Sequence, residues 1–196
     1  MALDAQTDTS DEALMVLYAN GDRSAAYVLT ERITPRILGY ASRLLSGDRT
    51  EAEDVAQETM LRLWRIAPDW RQGEAKVATW AYRVATNLCT DRLRAGRRRR
   101  PVALEDAPEV ADPGSGVMAR LVEANRVQAL ADALADLPER QRQAVVLRNI
   151  EGLANPEIAA IMGLGVEAVE SLNARGKRNL AARLAGRKAE LGYQDD

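Results

Sequence analysis

The sequence predicts an all-α chain: two small helical domains on either side of a flexible linker, the second carrying a helix-turn-helix. Three observations carry that expectation. Apolar residues fill 46% of the 196 positions but aromatics only 4%, with no phenylalanine, so a core has to be built from Leu, Ala, Val and Ile. The chain is rich in alanine and in charge, which favours helices because Ala, Leu, Arg and Glu lose little on entering one. No run of alternating β-branched residues is long enough to argue for a strand. Residues 101–116, PVALEDAPEVADPGSG, hold three prolines, two glycines and several acids but no periodic apolar face, which marks a linker between residues 1–100 and 117–196.

Within the first half, Thr9 and Glu12 stand at capping-box spacing ahead of Leu14, Met15, Leu17 and Tyr18, and so predict a first helix. Gly21-Asp22 ends it. Residues 24–46 carry Tyr27, Val28, Ile33, Ile37, Leu38, Leu44 and Leu45, a second helical segment that Pro35 should interrupt or kink and that Gly47-Asp48 closes. A second capping-box pair, Thr50 and Glu53, opens a helix through Val55, Met60, Leu61, Leu63 and Trp64 that stops before Pro68. From about Lys76 to Gly96, Trp80, Val84 and Leu88 recur at every fourth position and form one apolar stripe.

In the second half, residues 117–136 hold Leu121, Val122, Leu130 and Leu134. Pro138 suits the first turn of the next helix, which runs to Gly152. Asn155 reads as an N-cap with Pro156 at the first helical position; Gly163 ends that short helix, and another starts two residues later. Two helices joined this way make a helix-turn-helix, a unit that lays its second helix in the DNA major groove.

Composition excludes much else. A net charge of −2 argues against a generic nucleic-acid coat, but charge is unevenly placed: the N-terminal dozen residues are acidic, whereas Arg92 to Arg100 holds six arginines. Any DNA contact is therefore local and partner-dependent. Histidine is absent and Cys89 is the only cysteine, which excludes zinc fingers, Cys/His metal sites, Ser-His-Asp triads and disulfide frameworks. Cys89 reads as a small buried hydrophobe. With no paired acid–base constellation, phosphate loop or metal cluster, neither an enzymatic role nor a cofactor is expected. The polar, acidic N-terminus is no signal peptide and no apolar run approaches the ~18 residues of a membrane span, so a soluble cytoplasmic protein without membrane insertion is expected.

Three strings narrow the reading: EAEDVAQETMLRLW at 51–64, TWAYRVATNLCTDRLRAGRRRR at 79–100, and LPERQRQAVVLRNIEGL at 137–153. In this order and at these separations they resemble an extracytoplasmic-function sigma factor of the bacterial sigma-70 family, over nearly all of residues 11–185. The resemblance implies a region 2 domain in residues 1–100, the linker at 101–116, and a region 4 domain in 117–196. It implies a transcription initiation factor with no catalytic site, which directs core RNA polymerase to promoters. The partners it implies are core polymerase, through its clamp helices and flap, promoter DNA, and an anti-sigma factor that clamps the two domains.

Residue by residue, Asp54, Gln57, Glu58 and Leu61 share one side of their helix as a mixed polar and apolar patch. In the family the corresponding helix docks on the polymerase clamp; Trp64 reads as a core anchor. Trp80, Tyr82 and Asn87, followed by Arg92, Arg94, Arg97 and Arg98, join aromatic faces to cations, a combination that suits unpaired bases and their phosphates. The resemblance assigns them to the −10 element. Trp80 also lies on the apolar stripe, so a core role stands beside the stacking role. The recognition helix, from about Val166, offers Glu167, Glu170, Ser171, Arg175, Lys177 and Arg178 toward the −35 element. It departs from the family pattern: Gly165 replaces a Ser or Thr cap, and Glu170 and Leu172 stand where cations are usual. Glu170 either accepts from cytosine N4 or weakens phosphate binding. Those departures motivate one alternative, a sigma-like decoy that titrates an anti-sigma factor without binding promoters; the retained arginine run and docking patch oppose it.

Overall fold

The computed structural model describes residues 9–71, 73, 75–99 and 117–185, with the side chains of 97–99 and 117–124 excepted. These residues form eight α-helices, a 3-10 turn at Ala67–Asp69 and no strand. The helices are α1 (Asp11–Ala19), α2 (Arg23–Leu44), α3 (Arg49–Ile66), α4 (Val77–Arg99), α5 (Val117–Ala135), α6 (Glu139–Asn149), α7 (Asn155–Met162) and α8 (Val166–Ala185). The expected linker, residues 101–116, lies outside the described residues.

Helix starts are set by short polar side chains, though not always the expected ones. Ser10, not Thr9, caps α1 by accepting the Ala13 N–H at 3.2 Å. Asp22 caps α2 at Ser24, and Asp48, not Thr50, caps α3 by accepting from the Glu51 N–H at 3.0 Å. In each case the capping residue is the extended one just before the first helical turn, where a side-chain oxygen reaches the free N–H groups. The acids expected to complete the boxes act elsewhere. Glu53 pairs with Arg49 at 2.8 Å, and Glu12 accepts the N–H of Val77, the first residue of α4, at 3.1 Å.

Pro35 does not interrupt α2, which runs unbroken for 22 residues. An internal proline costs about 3 kcal/mol. Leu29, Ile33, Ile37 and Tyr40 are buried to within 2% on either side of it, and each such burial returns roughly 1.5–3 kcal/mol. In the second half, Pro138 is the N-cap of α6 and lies outside it, and α6 ends at Asn149, three residues before Gly152. Asn155 is the first residue of α7 and Ala154 its cap; the Ala154 N–H donates to Glu157 at 2.9 Å. Gly163 ends α7 in the left-handed conformation, φ 63°, which suits a residue without a Cβ. Midway along α8, Gly176 lets α6 approach closely: a Cβ there would meet Val145 Cγ2 at 2.5 Å and the Gln141 carbonyl at 3.2 Å.

One apolar core runs through both halves. α1–α4 pack around Leu14, Leu29, Ile33, Tyr40 and Leu63; α6–α8 pack around Val146, Leu147, Ile158 and Val169. α4 lies on α7, and α2 lies on α5 and α6. Arg142 of α6, only 7% exposed, closes the join. Its guanidinium donates to the Leu44 carbonyl at the end of α2 at 2.6 Å, to Ser46 Oγ at 3.3 Å, and to the Ala135 carbonyl at the end of α5.

Candidate functional site

On α3 the structure places the predicted patch on an open face. Asp54 and Gln57 are exposed, and Leu61 is 44% exposed despite its size. Glu58 is half-buried and accepts from Arg62 at 2.8 Å; that bond holds its carboxyl below the usual range. Beside the patch runs a mainly apolar groove of about 360 Å³, walled by Leu38 of α2 and by Ala56, Met60, Leu61 and Trp64 of α3. Trp64 is half-buried and its ring lies 4.7 Å from that of Tyr18, which makes it an anchor between α1 and α3.

The α4 residues divide among three environments. Tyr82 is 1% exposed, its ring edge-on to Tyr40 at 5.2 Å and 5.6 Å from the Arg36 guanidinium. Its hydroxyl donates to Glu151, in the turn before α7. Burial first, and that bond second, hold the Tyr82 pKa well above the ordinary phenol value. Tyr82 is thus not open for base stacking in this arrangement. Trp80 is half-buried and edge-on to Trp70 at 6.5 Å, so it serves the core while keeping part of its surface open. Asn87 and Arg94 are exposed and line a polar cleft of about 420 Å³, with Arg62 beside them and Arg140 and Met162 opposite. Arg92 bonds Glu51 at 2.6 Å. The side chains of Arg97 and Arg98 lie outside the described residues, although the helix continues to Arg99.

On α8, Val169 and Gly176 are buried and turn the opposite side outward. Glu167, Glu170, Ser171, Arg175, Lys177 and Arg178 are all exposed. Leu172 is half-buried and packs against the core. Glu170 accepts from Asn155 Nδ2 at 3.1 Å, and Asn149 Nδ2 donates to Asn173 at 2.9 Å. These side chains, with Arg148, Lys177 and Arg178, wall an open concavity of about 680 Å³. Sequence reasoning missed Arg148, Asn149 and Asn155 as part of this surface. Asn155 had been spent on a cap, and nothing in helical periodicity signals that the end of α6 and the start of α7 converge on α8.

The helix order has counterparts among known proteins. The chain matches the family described as Sigma-70 region 2 over residues 29–99 and that described as Sigma-70, region 4 over residues 127–180. The ECF RNA polymerase sigma factor SigM of Mycobacterium tuberculosis is 34% identical over 179 residues, covering 91% of this chain and 86% of that protein. The chain belongs to the extracytoplasmic-function sigma factors of the sigma-70 family. The RNA polymerase sigma-H factor of Pseudomonas aeruginosa is 32% identical, with 84% of this chain and 89% of that protein covered. Among solved structures, CnrH in complex with the cytosolic domain of CnrY is similar at a TM-score of 0.66 and 29% identity, over 90% of this chain and 97% of that one. The sigma factor RpoE of Bartonella quintana, solved with the anti-sigma factor NepR, shares the fold at a TM-score of 0.64 and 24% identity, over 80% and 94%. The region 2 match thus contains the α3 patch and the α4 residues of this sigma factor, and the region 4 match contains α6, α7 and most of α8. Nothing in these likenesses favours the decoy. Among the described residues no helix is long and apolar enough to cross a membrane.

Proposed function

We propose that this sigma factor directs core RNA polymerase to specific promoters, with residues 1–100 and 117–196 as separate working domains on the strap 101–116. The α3 face is the observation that carries the reading. A leucine 44% exposed beside an apolar groove, rimmed by Asp54, Gln57 and Glu58, is a surface built to be covered by a partner. The clamp helices of the polymerase are that partner. α4 then offers Trp80, Tyr82 and Asn87 to unpaired −10 bases, with Arg92, Arg94, Arg97 and Arg98 on the phosphates. α8 enters the −35 major groove with Glu167, Glu170 and Ser171 toward base edges and Arg175, Lys177 and Arg178 toward phosphates. An anti-sigma factor holds the chain inactive, a reading supported by a similar fold solved in complex with such a partner. The role is that of an initiation factor and not of an enzyme.

Transcription in vitro with purified core polymerase and a promoter library tests the proposal. Start-site-specific RNA that depends on the added chain is the expected result. Its absence, together with failure to associate with core, would remove the reading.

A further inference from the structure

We infer that Asn155 and Glu170 act together to read a single cytosine in the −35 element, Glu170 as the specificity-determining residue and Asn155 as its positioning residue. This rests on the assignment of α8 to the −35 major groove. Glu170 lies in the first two turns of α8, the stretch from which a recognition helix reaches base edges. Its neighbour Val169 is fully buried, whereas Glu170 itself is exposed. Asn155 opens α7, the helix that crosses the DNA backbone in such a unit, and both side chains wall the open concavity. The Asn155 Nδ2 donates to Glu170 Oε1 at 3.1 Å. The amide cannot turn over, because that would set its oxygen against a carboxylate. Its Oδ1 is buried and has no partner among the described residues, so the amide forgoes one hydrogen bond and keeps its NH2 group on Glu170. A bond to an ionised acceptor is among the stronger kinds, and it holds an otherwise exposed carboxylate in one direction.

The chemistry of the groove selects the base. An ionised carboxylate only accepts hydrogen bonds. Guanine presents two acceptors in the major groove, and thymine one acceptor and a methyl group, so neither offers Glu170 a donor. Adenine presents a donor at N6 but an acceptor, N7, beside it. Cytosine alone presents a donor, N4, with no acceptor on the same base. Asn155 occupies one carboxylate oxygen, and the second accepts from N4. The same charge repels phosphates at every sequence. Glu170 therefore lowers overall affinity while it widens the difference between right and wrong sites. Replacing the acid should raise binding in general and abolish the preference for cytosine.

Transcription by the holoenzyme from promoters with a randomised −35 segment, each template barcoded in its transcript, tests the pair. The wild-type chain should select cytosine at one position of one strand, about tenfold over each other base. Glu170→Gln should move that single preference to adenine, because a Gln amide pairs with adenine N6 and N7, and Glu170→Ala should flatten it. Asn155→Ala should cut the preference at the same position at least threefold and leave the other positions as in wild type. A merely structural role for Asn155 would instead lower output evenly across all positions. A Glu170→Gln profile identical to wild type, or an even loss in Asn155→Ala, would overturn the inference. If the wild-type chain selects no −35 sequence, the functional reading falls and the inference with it. A selected sequence that Glu170→Gln leaves unchanged removes the inference alone.

Discussion

Gly176 shows how one residue can set a helix crossing. Glycine inside a helix costs about 1 kcal/mol against alanine, yet here a methyl group would sit 2.5 Å from Val145 Cγ2 and 3.2 Å from a backbone carbonyl. Packing outweighs propensity. Gly176→Ala should lower stability by about 1–3 kcal/mol, seen as a lower Tm, despite the better helix former. Cys89 makes the complementary case. It is fully buried, and burial pushes its thiol pKa up to about 12, so it should resist iodoacetamide at pH 8 and react only on denaturation. Its nature as a buried hydrophobe was legible in the sequence, since one cysteine on an apolar helix face has few other uses. The destination of Glu12 was not. Its spacing from Thr9 suggested a local box, whereas its carboxylate goes to the start of α4, a long-range contact that no local pattern encodes.

At the scale of the element, α3 and α8 each separate an inner buried stripe from an outer exposed face. Leu61→Glu replaces an exposed side chain and should leave Tm nearly unchanged while weakening capture of core polymerase at least tenfold in a pull-down or anisotropy assay. Unchanged capture would remove the α3 face from the interface. On α8, Glu170 lies near Lys177 and Arg178 around one concavity and is held by Asn155. Glu170→Lys should strengthen duplex binding by the holoenzyme and steepen its salt dependence by about one ion, because one more phosphate is neutralised. A flat response would place Glu170 away from the backbone. Both faces were readable from 3.6-residue periodicity and from the quoted strings. Pro35 misled because a proline signal is local, whereas the burial that keeps α2 continuous comes from α1, α3 and α4. The edges of α6 and α7 moved by one to three residues for a similar reason: Pro138 and Asn155 suit both the cap and the first helical position.

Across the whole molecule, the two bodies were legible but their contact was not, because a linker says where a chain divides and nothing about which faces then meet. The contact carries its own pH limits. Glu157 has its carboxyl held low, chiefly by Lys76 and then by the Ala154 N–H, so its contribution is present above the ordinary carboxylate range and is lost as pH falls through its lowered value. Tyr82 has its pKa raised, so its contribution is full below the ordinary phenol value and is lost as pH rises through the raised one. The contact should therefore weaken only as pH falls through the lowered Glu157 value or rises through the raised Tyr82 value, seen as expansion in small-angle scattering. Arg142 adds a consequence for the motion itself. One guanidinium terminates two helices, α2 through Leu44 and α5 through Ala135. When the halves part, α2 loses that donor at its last turn while α5, in the same half as Arg142, keeps it, so unwinding at 41–45 should accompany separation, and water must take over the Leu44 carbonyl. Hydrogen–deuterium exchange in that short stretch would then rise on engagement of polymerase while residues 132–136 stayed protected, making one helix end a reporter of the event and the other its internal control.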